Sequence, residues 1–285
     1  MEFTNKAGLP KCMVNFLKYS DYNSSGARFD ISATKLIDSP QVSALWKAHG
    51  KEVVEDVSDR LWAAVGSGIH ARLEVANASD PDIIMEKRFI HEVGGKLVSA
   101  QIDVLDIPGK TLIDLKTTSA WKVVNQDFSS YEKQINIQAY LAHLSGWTIE
   151  KIQAAVICRD WMKMRSSDAG YPNTPIQIID LELWPTDQQE DFILDRLDVH
   201  FSDDPKSCTD EERWAKKATW AVKKKGRKSA LRVLPSEQKA LSWIASGGHT
   251  GNDISIEERP ATYTRCESYC AVNRWCPQYN QEQSK

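Results

Sequence analysis

Two periodicities take turns along the chain. Apolar residues recur at helical spacing through Val57, Leu61, Ala64, Val65, Ile69, Leu73 and Ala76, predicting a helix from Asp56 to Asn77. Three runs of strand character follow, "IIMEKRFIHEV", "KLVSAQIDVLDI" and "KTLIDLKTT", and predict a meander. "SSYEKQINIQAYLAHLSG" returns to helical spacing and closes on Gly146. "KIQAAVICRD" and "PIQIIDLELW" read as strands, and "TDQQEDFILDRLDVHF" as a helix with Thr186 and Gln189 in capping-box positions. Ahead of the first long helix, "DISATKLIDSPQVSALWKAHG" predicts two short helices, the second capped by Ser39 with Pro40 at its first position.

This order, helix, three strands, helix, strand, predicts a mixed α/β (α+β) sheet fold. Residues 1–30 are mixed and turn-rich and are expected to form a loosely packed arm. From about residue 205 the pattern changes to a basic segment expected as helix, a short strand "ALRVL", a helix "SEQKALSWIAS" and a cysteine-bearing tail. The expected plan is an arm (1–30), a core (31–204) and a basic helical, cysteine-containing extension (205–285) packed on that core.

Composition changes this picture little. With 285 residues, 41% hydrophobic and 26% charged, the chain can bury a sizeable core. A net charge of -3 does not point to nucleic acid, so any such reading must rest on local charge. No run is long enough to span a membrane, and "MEFTNKAGLPKC" lacks the apolar core of a signal peptide. The expected location is the cytoplasm, the host's if the chain is phage-encoded. Three of the six cysteines fall in the last twenty residues, which favours metal binding over a disulfide framework.

The meander carries the chemistry. Residues two apart on a strand share a face, so Asp103 points away from Val98, Ala100, Ile102 and Val104. On the next strand Asp114, Lys116 and Thr118 share one face. A symmetric turn centred on Pro108-Gly109 would set Asp103 directly opposite Asp114. Two carboxylates that close repel unless a cation lies between them, and Mg²⁺ or Mn²⁺ takes oxygen ligands. Lys116 on the same face can hold a water and steady charge on a phosphate. Taken alone, Asp-x-Lys reads as a surface ion pair; its neighbours decide otherwise.

Upstream, Gly66, His70 and Glu74 stack on one helix face, where glycine permits close backbone approach and the imidazole can reach a metal. Downstream, Gln134, Gln138 and Tyr140 line a broad helix face suited to a phosphate backbone.

Together these residues resemble the PD-(D/E)XK nuclease superfamily, in its RecB-type and phage exonuclease branch. The matching features are Gly66 with His70, then Asp103, then Asp114 with Lys116, then Gln134, over about residues 30 to 185. The resemblance implies a restriction-endonuclease-like αβββαβ core. It implies a metal bound by His70, Asp103, Asp114 and the Leu115 carbonyl, catalysis by Asp103, Asp114, Lys116 and Gln134, and products with a 5′-phosphate. Two positions depart from the pattern: Gln138 stands where the family has tyrosine, with Tyr140 two places on, and Ala100 replaces a glycine.

The segment from Arg213 to Arg232 holds nine cations and no acid, among them Lys216, Lys217, Lys223, Lys224, Lys225, Arg227 and Lys228. These are candidate DNA contacts, while the interleaved Trp214 and Trp220 are expected in the core. Cys266, Cys270 and Cys276, with Cys208 folded back, could hold Zn²⁺ or a [4Fe–4S] cluster, or be buried thiols. Relatives of the AddB and CRISPR-adaptation kind carry such a cluster, but their first cysteine precedes the Gly-x-x-x-His helix, and "LIDSPQVSAL" has none. Cys12 and Cys158 read as structural.

The expected activity is metal-dependent hydrolysis of DNA, by an exonuclease serving phage recombination, replication or repair. A single-strand-binding or recombination protein is a candidate partner. Two alternatives stand beside it: a repair or CRISPR-adaptation nuclease with an iron–sulfur clip, and a non-cleaving module that holds DNA ends.

Overall fold

Residues 1–19, 26–247 and 253–283 are described by the computed structural model, so residues 20–25 of the expected arm lie outside the described residues. The chain divides into two units, Met1–Lys206 and Ser207–Lys285. The fold is mixed α/β. In the first unit the order is β1 (Glu2–Thr4), α1 (Lys11–Lys18), β2 (Ile31–Ser32), α2 (Ala33–Leu36), α3 (Pro40–His49), β3 (Val54–Asp56) and α4 (Leu61–Asn77). There follow β4 (Ile83–Met85), β5 (Arg88–Val93), β6 (Lys96–Gln101), β7 (Val104–Asp106) and β8 (Thr111–Thr118). Then come α5 (Ala120–Val124), α6 (Ser129–Leu144), β9 (Lys151–Cys158), β10 (Ile176–Leu181) and α7 (Thr186–His200).

A five-stranded sheet runs β10-β9-β8-β7-β4, with β8 and β9 parallel and the other neighbours antiparallel. A three-stranded sheet runs β2-β6-β5. The two share one long hairpin. β4 pairs with β7 and β5 with β6 in the same register, Met85 opposite Val104 on one side and Arg88 opposite Gln101 on the other. Between these pairs the strands kink. Glu86 takes a left-handed conformation (φ 48°), yet its N–H still reaches the Asp103 carbonyl at 3.0 Å. Below the kink β7 stays paired with β8; above it β6 turns to β2. The strand expected from "KLVSAQIDVLDI" is therefore two strands in two sheets, divided at Ile102-Asp103.

The turn between β7 and β8 keeps the expected register. Val104 faces Ile113 and Asp106 faces Thr111, around a four-residue loop centred on Pro108-Gly109. Lys110 closes that loop with φ 46°, and the Asp106 carboxylate accepts from Gly109 N–H at 3.1 Å. α6 packs across β5, β6, β8 and β9. Ile135, Ile137 and Leu141 on this helix share one buried core with Leu105, Leu112 and Ile152 of the strands and Ile102 between β6 and β7. Each such side chain contributes about 1.5–3 kcal/mol by leaving water.

Two local expectations change. Thr186 is the first residue of α7 rather than its cap, and Gln189 turns inward to bond Asn136 at 3.0 Å. The N-terminal stretch is not a loose arm: β1 pairs in parallel with β3, and Leu17 of α1 is buried. The reason is Asp56, whose carboxylate accepts from Thr4 Oγ1 (2.8 Å), Lys6 N–H (2.8 Å), Ser58 N–H (3.1 Å) and Ser58 Oγ (2.7 Å).

The second unit contains β11 (Ala215–Lys216), β12 (Thr219–Lys224), β13 (Arg232–Leu234), α8 (Glu237–Ser246), β14 (Ile254–Arg259), β15 (Thr262–Tyr263), α9 (Thr264–Ser268) and α10 (Pro277–Gln283). The basic segment expected as helix is a strand and turn. "TWAVKK" buries the adjacent Ala221 and Val222, on opposite strand faces, in the central strand of a β13-β12-β14 sheet, and Gly226 (φ 85°) turns the chain. Charge periodicity alone does not separate a basic helix from a basic strand.

The Ser58 hydroxyl, followed by Lys6 N–H and the Thr4 hydroxyl, holds the Asp56 carboxyl well below the usual range. A depressed carboxylate contributes its stability above its unfolded pKa and loses it as pH falls through the folded value. Asp56→Ala should therefore lower the melting temperature at neutral pH. The gap to the parent should close only in strong acid; a gap independent of pH would contradict this role.

Candidate active site

The kink places side chains as well as backbone. Glu86 and Asp103 lie on its two sides, and α4, which packs against β4 and β8, brings His70 over them. His70 donates from Nδ1 to Glu86 Oε1 at 2.8 Å, and the same nitrogen is 3.6 Å from Asp103 Oδ1. Glu86 Oε2 accepts from Gln101 Nε2 at 2.7 Å, and Arg88 in turn holds Gln101. Asp103 Oδ2 accepts the Leu115 N–H of β8 at 2.6 Å. His70, Glu86 and Asp103 offer ligand atoms that all lie within 4.8 Å of one another and could hold a metal ion; no other such group occurs among the described residues.

Asp114 sits one strand over and only 1% exposed. Its Oδ1 accepts from Gln134 Nε2 (3.2 Å) and Gln138 Nε2 (3.1 Å), both from α6. Its Oδ2 lies 2.7 Å from Lys116 Nζ. Lys116 also donates to Gln134 Oε1 at 3.0 Å. The expected register holds as far as Val104 opposite Ile113, and Asp103 and Asp114 lie close enough for their charges to interact, but Asp114 faces Lys116 and two glutamines, and it is Glu86 that joins Asp103 and His70.

The electrostatics follow from these contacts. Burial first, then the charge of Asp114, push the Asp103 carboxyl up to about 7, against His70, the Leu115 N–H and Lys116. The hydrogen bond to Glu86 raises the proton affinity of His70 above its ordinary range despite burial, and Asp103 adds to it. Burial opposes ionisation of Glu86, but hydrogen bonds from His70 and Gln101 outweigh it and hold the acid below its usual range. Burial likewise opposes the Lys116 ammonium, and the charge of Asp114 overcomes it and holds the amine above its ordinary range. A carboxyl pushed up by burial beside His70 and Glu86, with their ligand atoms within 4.8 Å of one another, suits a divalent cation with oxygen ligands.

Other expected residues lie elsewhere. Gln138 is buried and spends its amide on Asp114 and the Gln101 carbonyl (3.1 Å), so it positions Asp114 and does not face a groove. Tyr140 is buried in the core; burial and its bond to Glu190 push the phenol up to about 12. A helix face read as one broad stripe is thus divided between site and core. Gly66 gives no close approach within the protein, since a Cβ there would meet nothing within 4 Å.

In the second unit Lys216, Lys217, Lys224, Lys225, Arg227 and Lys228 are exposed. Lys223 is paired with Glu257, and Lys224 lies 3.4 Å from Asp253, because β14 lays acids beside β12. Trp214 is 51% exposed, not in the core, and Arg213 is the buried member, paired with Glu282 and stacked 3.3 Å from the Tyr263 ring centre. No disulfide joins the six cysteines. Burial raises the Cys270 thiol, with Cys266 and Cys276 close enough to add to it. Cys208 exchanges two 3.0 Å backbone bonds with the Gln278 amide, two residues from Cys276. No three of these thiols lie within 4.8 Å of one another, whereas a tetrahedral zinc–thiolate site needs about 3.8 Å.

The residue that sequence reasoning misses is Glu86. Its signal is an acid interrupting the apolar run of "IIMEKRF", between two strands that share one register.

No family model matches the chain, and no curated protein matches it. Among solved structures it is similar to the crystal structure of SSO0001, at 16% identity and TM-score 0.46, over 66% of this chain and 84% of that one. It is also similar to the crystal structure of a phage-related exonuclease from Haemophilus somnus 129PT, at 9% identity and TM-score 0.29, over 69% and 85%. Neither likeness decides an activity.

Replacing Glu86 by Gln keeps its shape and removes a charge from the triad. Mn²⁺ affinity measured by titration calorimetry should fall about tenfold or more. Unchanged affinity would remove Glu86 from the site.

Proposed function

We propose that the first unit is a metal-dependent deoxyribonuclease, an exonuclease of the PD-(D/E)XK kind. The observation that carries this reading is the convergence of His70, Glu86 and Asp103 within 4.8 Å, with the Lys116 ammonium close enough to bear on Asp103. His70, Glu86 and Asp103 would hold Mg²⁺ or Mn²⁺, with Asp114 and the Leu115 carbonyl as further oxygen donors. Residues of a strand point N–H and C=O to the same side, so the Leu115 N–H bound by Asp103 turns its carbonyl toward the same gap. A cation bound there supplies Lewis acidity toward a phosphodiester oxygen.

The chain's own groups do the rest. Lys116 is held ionised by Asp114 and aimed by the Gln134 carbonyl oxygen. Its ammonium orients the attacking water and steadies the charge that develops on the phosphate. Gln134 and Gln138 keep Asp114 from turning away. The open face at Gly66, one turn before His70, leaves room for the substrate backbone. In the second unit, Lys216, Lys217, Lys224, Lys225, Arg227 and Lys228 would contact DNA phosphates. The substrate is DNA, with a single-strand-binding or recombination protein as a partner in the cell.

A second proposal concerns the cysteines. An iron–sulfur cube sets its thiolates further apart than a single zinc ion does. Cys266 and Cys276 lie close enough to Cys270 to act on its thiol, and Cys208 is bonded to Gln278 two residues from Cys276, a grouping that would serve a [4Fe–4S] cluster.

Two measurements follow. With Mg²⁺ or Mn²⁺ the protein should degrade linear DNA, EDTA should abolish this, and Lys116→Ala should lower the rate by about 10²–10³-fold while far-ultraviolet dichroism stays native. Undiminished degradation by a folded Lys116→Ala would reject the mechanism. Protein purified without oxygen should carry iron and absorb visible light; colourless protein free of iron would reject the cluster.

A further inference from the structure

The far end of β8 carries features the proposed chemistry does not use. Asp114 and Lys116 lie on this strand, which ends at Thr118 and passes through the Ser119 cap into α5. The Lys116 ammonium is 5.5 Å from the Tyr131 ring centre, and Lys122 of α5 approaches the same ring at 5.1 Å. Beside Lys122 stands Trp121, 50% exposed, with the Arg165 guanidinium 5.2 Å from its ring centre. Across the neighbouring strand end, Arg159 donates its N–H to the Thr118 carbonyl at 2.9 Å and sets its guanidinium 4.8 Å from the Trp62 ring, 49% exposed. Asp160 ties the loop after β9 to the start of α5, accepting from Ser119 Oγ and Ala120 N–H, each at 2.6 Å.

Both indoles share one design. A guanidinium lies over each ring, and half of each side chain remains open to solvent. Arg165 is itself held by Asp168 at 3.0 Å, and Asp160 fixes the loop that presents Arg159. Large aromatic rings on a surface expose apolar area that water disfavours. A cation fixed over a ring gains little in water, so such pairs alone are a weak reason for the exposure. Unpaired nucleobases are the partner that suits them: each base offers a flat face to an indole and to a guanidinium plane, and its phosphate meets the cations. A duplex covers such faces except at its terminal pairs, because its bases are stacked on one another.

We propose that Trp62 and Trp121, with Arg159 and Arg165, form a stacking platform for unpaired nucleotides beside the metal site. The substrate of that site is then a single strand or the unpaired end of a duplex. Only this second statement rests on the nuclease reading. Tyr131 lies between the platform and Lys116 and marks the path of the strand.

The test separates binding from cleavage. In EDTA, the full chain is titrated with a fluorescein-labelled oligothymidine and with a labelled blunt duplex, following anisotropy. Trp62→Leu and Trp121→Leu keep apolar bulk without a π face, and each should weaken single-strand binding by about fivefold or more. Trp62→Phe and Trp121→Phe should retain most of it, and duplex affinity should change little in all four. Single-strand affinity unchanged in both leucine variants, or an equal loss toward the duplex, would overturn the platform. Because no cleavage is involved, an inactive but normally binding protein would refute the nuclease reading and leave this one standing.

Discussion

One hydrogen bond organises the first unit: the Leu115 N–H of β8 donated to the Asp103 carboxylate at 2.6 Å. β8 reaches past the end of β7, and beyond that point it has lost its antiparallel neighbour, because β6 has turned to β2. A buried backbone N–H without a partner would cost about 1–3 kcal/mol. The carboxylate replaces the missing strand. In doing so it is drawn to the fork between the sheets, where its second oxygen meets His70.

That solution creates a second problem. Asp103 enters a region already holding Asp114, and both are nearly buried. The protein relieves only part of the repulsion. Lys116 and two glutamines satisfy Asp114, and His70 leans between Glu86 and Asp103, yet Asp103 still titrates near 7. A site built for stability alone would replace one acid by an amide. A remaining excess of buried negative charge is the electrostatic condition under which a divalent ion binds.

The sequence carried part of this plainly. Alternation plus a Pro-Gly turn was enough to set the β7–β8 register and so to bring Asp103 near Asp114, since side-chain period and turn length together leave one register. Period-two reading does not reveal where a strand changes sheets, so the division at Ile102-Asp103 and the role of Glu86 stayed hidden. Both depend on Glu86 adopting positive φ, a conformation its residue type disfavours. The α6 face was only half legible. Gln134 and Gln138 are four apart and meet Asp114 together, but Tyr140, six beyond Gln134, rotates into the core. In the second unit a run of like charges concealed a strand, because partners such as Glu257 and Asp253 arrive from about thirty residues away.

The proposed platform follows the same sheet edge at which Asp114 and Lys116 stand. β8 is parallel to β9, and parallel strands present their ends and following loops at the same edge of the sheet. Asp114 and Lys116 lie in the second half of β8 before that edge, and Trp121 at the start of α5 and Arg159 after β9 stand just past it. Reactive groups near a strand's carboxyl end and recognition groups on the loops beyond are the arrangement expected of an open α/β sheet, because loops there can vary without disturbing the register that fixes the chemistry. The Asp160 bonds to Ser119 and Ala120 make this edge stiff. On the proposed reading, a strand drawn over Trp121 would meet Lys116 in a relation set by β8 and by the Ser119 and Ala120 bonds to Asp160.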